Sequence, residues 1–175
     1  LGCPNLPLDG DGGATGPLVG ASRGRGTRIV ARDDEADDGR AVRVRADRTA
    51  SSARFCESVE SGHTSHGESQ QVAERLGITA EPVRMDSQAK DATVARGDAS
   101  IYLRLPTRAD YQEKIWDHAA GAICVEEAGG RVTDVTGKPL DFSLGRTLRD
   151  NQGVIATSGA IHDEVVAAVR AVLGK

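Results

Sequence analysis

The segment Lys114–Gly121 reads KIWDHAAG, setting an acid between the chain's only tryptophan and a run of small residues. Asp117 has a simple structural use there. An Asp just before a helix accepts hydrogen bonds from free N–H groups of the first turn, worth about 1 kcal/mol. It also has a chemical use: one carboxylate oxygen can cap while the other faces a cleft and binds a hard cation. Ser87 and Lys90 form a second candidate. Asp86-Ser87 sits where a helix begins and Lys90 lies one turn on, so N–H groups, a hydroxyl and an ammonium converge as they would around a phosphate. The plainer alternative is a capped surface helix with a solvated lysine.

His63 and His66 spell HxxH with Cys56 nearby, but no fourth ligand is spaced to close a zinc site and Cys56 looks like a buried strand residue. His63 then remains a loop histidine unless its loop borders a site. Arg104 alternates with Ile101, Leu103 and Leu105. A lone arginine in that pattern suits the solvent face of an edge strand, and its planar fork suits a phosphate if that face borders a cleft. Two motifs near the start fail. DGDGG at 9–13 has Gly13 and Gly20 where a calcium loop needs its fifth and twelfth ligands. In LPLDGD, Leu6 replaces the first Asp of a DPxDGT metal loop and Asp11 replaces the Thr.

Turn residues and apolar spacing mark the elements that must position these groups. PLVGA and TRIVA read as two strands of a hairpin joined by SRGRG. Residues 9–16 form a Gly-rich loop, 32–40 a solvated acidic run, and 41–52 alternate only weakly. RFCESVE starts as a strand, SGHTSHGE is polar, and residues 68–76 form a helix closed by Gly77. A helix after Asp86-Ser87 ends at Gly97, and the strand IYLRLP ends at Pro106. Asp117 is expected to open the next helix, closed by Gly129-Gly130. RVTDV and GVIAT follow as strands, and residues 160–173 as an amphipathic helix. Strands alternating with helices predict an α/β layered fold.

With 175 residues the chain can bury a real core as one domain with a small appended hairpin. Residues 1–53 are expected to form the hairpin region and variable loops, and 54–175 the C-terminal α/β part. Aromatics are only 3% of residues, so Val, Ala, Leu and Ile must build the core. A net charge of −4 argues against a nucleic-acid polymer as partner, and no apolar run approaches membrane-spanning length. Cys3, Cys56 and Cys124 are odd in number and without a CxxC, which points to reduced thiols in the cytoplasm or in an organelle stroma or matrix. The sequence opens on Leu1 without a signal-peptide pattern, and an upstream continuation is expected.

Taken together, the motifs resemble a known family. WDHAAG at 116–121 followed by EAGG at 127–130 is similar to the signature of the inositol-monophosphatase-like, magnesium-dependent and lithium-sensitive phosphatases. FCESVESGHTSH, RMDSQAK, YLRLP, YQEKIWDHAAG and KPLDFSLGRTL, in that order, resemble its 3′(2′),5′-bisphosphate nucleotidase branch. The likeness is close from Arg54 to Gly159, includes LGCPNLPL at 1–8, and is loose over the hairpin.

That resemblance implies the C-terminal half of an α/β/α layered sugar-phosphatase fold. It also implies hydrolysis of the 3′-phosphate of adenosine 3′,5′-bisphosphate and 3′-phosphoadenylyl sulfate by metal-assisted in-line attack, with Mg2+ as cofactor. Asp117 matches a metal ligand, and His63, Ser87, Lys90 and Arg104 match nucleotide-contacting positions. No catalytic acid or base of the family falls in this chain; those groups and the remaining metal ligands belong to an N-terminal half. One carboxylate cannot hold two magnesium ions, so the chain alone is expected to be weak or inactive. Asp91 stands where the family usually has an aromatic. Phosphatases of the same superfamily acting on inositol or fructose phosphates, and a non-catalytic fragment that binds nucleotide or a partner chain, remain as alternatives.

Overall fold

The computed structural model describes residues 1–8, 16–31, 39–59, 66–106, 108 and 110–174. His63, most of the Gly-rich loop and most of the acidic run lie outside the described residues. The expected hairpin is present: β1 (Leu18–Ser22) pairs antiparallel with β2 (Gly26–Val30), Ser22 standing opposite Gly26. Gly24 and Gly26 take φ of +72° and +77° in its turn, where a side chain would be strained. A short β3 (Arg40–Val42) extends this sheet along β2. Val19, Ile29 and Val42 point inward, while Leu18 and Gly20 face outward.

The larger sheet has five strands: β4 (Phe55–Glu57), β5 (Val83–Arg84), β6 (Ile101–Arg104), β7 (Arg131–Thr133) and β8 (Val154–Thr157). Their order is β5-β4-β6-β8-β7; β4 runs parallel to β5 and β6, and β8 antiparallel to β6 and β7. The helices are α1 (His66–Leu76), α2 (Ala89–Ala95), α3 (Ile115–Glu127) and α4 (His162–Leu173). Period-two alternation sends Phe55, Ile101, Leu103 and Ile155 against α1 and α4. Cys56, Tyr102, Val154 and Ala156 go the other way, against Ala92 and Ala95 of α2 and Ala122 and Val125 of α3. Buried on both faces, these strands read as near-continuous apolar runs. The second core continues to Val19, Ile29 and Val42, so α2 and α3 lie between the two sheets.

Three sequence expectations change. Helix α3 begins three residues earlier than expected, with extended Lys114 at its N-cap and Asp117 inside the first turn. The cause is a backbone clamp: Leu148 N–H donates to the Glu113 carbonyl at 2.9 Å, and Ile115 N–H to the Arg146 carbonyl at 3.2 Å. The loop thus satisfies one of the N–H groups that a helix start leaves without an intrahelical partner. Strand β6 lies between β4 and β8, so Arg104 is not on an edge strand. Strand β5 was not expected; two residues carry no periodicity to read.

Two carboxylates, of which Asp134 is buried, and a histidine hold the loops in place. Glu127, from EAGG, accepts the Gly24 and Gly26 N–H groups at 2.9 and 3.0 Å, pinning the hairpin turn to the end of α3. Asp134 accepts from Thr136 N–H (2.8 Å), Thr136 Oγ1 (2.7 Å), Lys138 N–H (3.1 Å) and Asn151 Nδ2 (3.2 Å). This cage sets the base of the loop whose far side clamps Glu113. His162 is fully buried between Thr133 and Thr157, with both ring nitrogens 2.9 Å from their hydroxyls.

Burial, with Arg131 nearby, pushes the His162 imidazole down to about 4. Unfolded, it takes a proton near 6.5, so between those values the unfolded chain binds the extra proton. Its contribution to stability is complete above pH 6.5 and falls away as pH drops towards 4. In urea melts at pH 7.5 and 5.0, His162→Gln is expected to lose less stability on acidification than the natural chain. An equal loss in both would show that His162 does not carry this dependence.

Candidate functional site

Ser87 lies in the turn before α2 with φ +62°, which makes it the one non-glycine residue with positive φ among the described residues. Holding a serine there costs on the order of 1–3 kcal/mol and persists only where neighbours enforce it. Asp86 helps enforce it by accepting Val59 N–H at 3.2 Å, and Gln88 by reaching across to α3. The Gln88 amide donates to the Trp116 carbonyl at 2.8 Å and accepts Gly121 N–H at 3.0 Å. One side chain thus ties the start of α2 to the first turns of α3.

Lys90, one turn along α2, is not the solvated lysine of the plainer expectation. It is 4% exposed, its ammonium donates to Ser58 Oγ at 3.0 Å and lies 5.1 Å from the Tyr102 ring centre. Burial lowers its pKa, against the opposing pull of Cys56, Asp86 and Asp91. Among the described residues Lys90 makes no salt bridge. An ammonium has three donors, and a desolvated one is best completed by an anion.

Arg104, at the end of β6, is partly buried and gives its Nε–H to Glu113 Oε1 at 3.2 Å. Burial opposes its charge, but the Glu113 carboxylate outweighs that and raises its pKa. The other Glu113 oxygen lies 2.9 Å from His118 Nε2, and both of these side chains are buried. Burial would push Glu113 up, yet the His118 hydrogen bond and the Arg104 charge hold it below the usual carboxylate range. His118 Nδ1 is buried with no hydrogen-bond partner among the described residues.

These groups line one cleft of about 310 Å³: Ser87, Lys90 and Tyr102 on one side, Arg104, Glu113, Asp117 and His118 on the other, with Gln88 between. Four of the five residues singled out in the sequence meet there, and the fifth, His63, lies outside the described residues. Asp117 is exposed at the rim, in the first turn of α3. It fits as one oxygen ligand for a hard cation. It does not complete a site with other side chains: among the described residues no group of three His, Cys, Asp or Glu is placed to hold an ion. Sequence reasoning missed Gln88, Tyr102, Glu113 and His118. Glu113 and His118 lie four residues before and one after Asp117 in YQEKIWDHAAG, a nearness to the metal-ligand candidate that is the one signal the sequence carries for them. Cys56 is buried, and burial raises its thiol to about 12, unlike a zinc-bound thiolate.

The chain belongs to the inositol monophosphatase family, whose model matches residues 3–173. Members of that family are metal-dependent phosphatases. Among its relatives are 3′(2′),5′-bisphosphate nucleotidases of Emericella nidulans, 47% identical over 99% of this chain and 53% of the relative, and of Oryza sativa, 43% identical over 97% and 49%. The chain therefore spans about half the length of the curated relatives it matches. Solved structures agree on the fold. Extragenic suppressor protein suhB of Bartonella henselae aligns with a TM-score of 0.64 at 24% identity, covering 88% of this chain and 52% of that one. Inositol monophosphatase from Anabaena aligns with a TM-score of 0.60 at 23% identity, over 89% and 57%.

Asp91, the residue after Lys90 on α2, is not part of the cleft lining and packs inside the protein. It is buried on α2 against Gly121, where an added Cβ would overlap its carboxyl. Burial raises Asp91 to about 7, tempered by His118 and Lys90. Unfolded, it ionises near 3.8, so the folded chain binds the extra proton between those values and loses stability as pH rises through them. Asp91→Asn is expected to be more stable than the natural chain at pH 8, with the gain shrinking towards pH 5 in urea melts. A gain that grows on acidification would reverse the sign and rule this out.

Proposed function

We propose that this chain is the nucleotide-binding half of a Mg2+-dependent phosphatase. It acts on the 3′-phosphate of adenosine 3′,5′-bisphosphate and of 3′-phosphoadenylyl sulfate. The observation that carries this is Lys90, a buried ammonium without a salt bridge among the described residues, opening with Arg104 into one cleft. Two partly or fully desolvated cations suit a phosphorylated ligand far better than a neutral one. The names of the relatives supply the nucleotide. Ser87, Lys90 and Arg104 would hold the substrate, together with His63, and residues 54–175 would carry this work while 1–53 buttress α3. Asp117 would supply one oxygen ligand to magnesium, a cation that prefers carboxylate and water oxygens. When bound, the metal would supply charge neutralisation at the phosphoryl oxygens.

The remaining ligands and the groups that activate water would come from a further segment corresponding to the other half of the relatives' length. On this reading the chain alone turns over weakly or not at all. A non-catalytic nucleotide-binding role is the second reading, favoured by the lack of a three-ligand cluster among the described residues. Magnesium-dependent phosphate release by these 175 residues would end it. Cytoplasmic residence is supported by three free, buried thiols. Among the described residues no helix is long and apolar enough to cross a membrane.

In titration calorimetry, Lys90→Ala is expected to weaken binding of adenosine 3′,5′-bisphosphate by roughly tenfold or more, and inorganic phosphate by less. Unchanged nucleotide affinity would remove Lys90 from the site. Asp117→Asn is expected to keep metal-free nucleotide binding and to lose the strengthening that added magnesium gives the natural chain. An Asp117→Asn chain that keeps that strengthening would leave Asp117 with no ligand role.

A further inference from the structure

Glu113 is 3% exposed and makes three connections at once. Its backbone carbonyl accepts Leu148 N–H at 2.9 Å, fixing the segment before α3. Oε1 accepts Arg104 Nε–H at 3.2 Å, and Oε2 lies 2.9 Å from His118 Nε2. An arginine at a strand end has several rotatable bonds, and a carboxylate on its Nε edge removes most of that freedom. Because Glu113 is anchored by its own backbone and by His118 from α3, it holds Arg104 relative to α3 as well as to β6. Resting on the nucleotide-binding reading above, we propose that Glu113 is a positioning residue. It sets the Arg104 guanidinium in the cleft so that the arginine meets a substrate phosphate already oriented, with His118 bracing the far side of the carboxylate.

The proposal explains why a carboxylate stands in the wall of a cleft built for anions, where it would otherwise repel the ligand. Its charge is committed to Arg104 and its second oxygen to His118, so it faces the substrate through the arginine. Its depressed pKa fits a carboxylate held by donors on both sides. A glutamine in its place has one oxygen, which can accept from Arg104 or His118 but not both, and its amide nitrogen opposes the other donor.

The test is calorimetry of adenosine 3′,5′-bisphosphate binding to the full chain and to Arg104→Ala, Glu113→Gln and the double variant, with melting temperatures alongside. Arg104→Ala is expected to weaken binding roughly tenfold or more, and Glu113→Gln by a comparable factor. The double variant is expected to bind no more weakly than Arg104→Ala alone, because Glu113 acts only through the arginine. Two results would overturn the proposal: natural affinity in Glu113→Gln while Arg104→Ala is weakened, or full multiplication of the two losses in the double variant. Should Glu113→Gln not hold the fold, Glu113→Asp keeps the charge but is too short to reach both donors. It is expected to weaken binding in the same way, and natural affinity would overturn the proposal there too. No binding by the natural chain would instead refute the nucleotide reading itself, and this proposal with it.

Discussion

The contact of α2 with α3 at Gly121 is the constraint on which the cleft depends. A Cβ at that position would overlap the Asp91 carboxyl, so the helices can come this close only where α3 presents a hydrogen. Gln88 then spans the gap, donating to the Trp116 carbonyl and accepting Gly121 N–H. Ser87 and Lys90 on one element and Asp117 and His118 on the other are brought together by that approach. The small residues of WDHAAG are therefore not a quiet stretch of helix. They let the acid before them stand beside a lysine from elsewhere.

The electrostatics of the cleft follow from what is buried around it. Lys90 sits on the Tyr102 ring with a hydroxyl for a partner, so its charge is desolvated and only partly offset. Arg104 is held in its charged form by Glu113. Glu113 and Asp91, both buried, meet opposite fates because their surroundings differ. Glu113 has two donors at hydrogen-bond distance and stays well ionised. Asp91 lies against a glycine, and desolvation prevails over the attraction of Lys90 and His118. A carboxyl raised to about 7 offsets Lys90 less than an ionised one would, leaving more of its field for a ligand.

Much of this was legible in the sequence, and the failures have physical causes. The hairpin, the helices closed by Gly77 and Gly97, and strand β8 follow from local turn chemistry and apolar runs, which need no distant partner. The start of α3 does not. Its first N–H groups are served by backbone carbonyls at Lys114 and Arg146, and the second of these comes from a loop about 30 residues on. The burial of Lys90 is likewise a tertiary fact. SxxK before an alanine-rich helix looks the same whether the lysine meets water or Tyr102. Glu113 escaped for a related reason: its partners are nine residues back and five ahead, one at the end of β6 and one in α3, and only folding brings both to its carboxylate.

The position of Asp117 shows why a helix start is used here. In the first turn of α3 it adds negative charge where the helix dipole is positive, a mildly stabilising arrangement for an exposed side chain. A true N-cap would have turned one oxygen back onto the backbone. With Ile115 N–H bound to the Arg146 carbonyl, a donor at the helix start is satisfied without the carboxylate. The loop from Asp134 to Leu148 thus closes onto the start of α3 at Ile115. Its buried anchor is the Asp134 cage, some distance along the chain from any residue of the cleft. Residues that look purely structural, Asp134 and Asn151 among them, thereby anchor the loop that meets the start of α3.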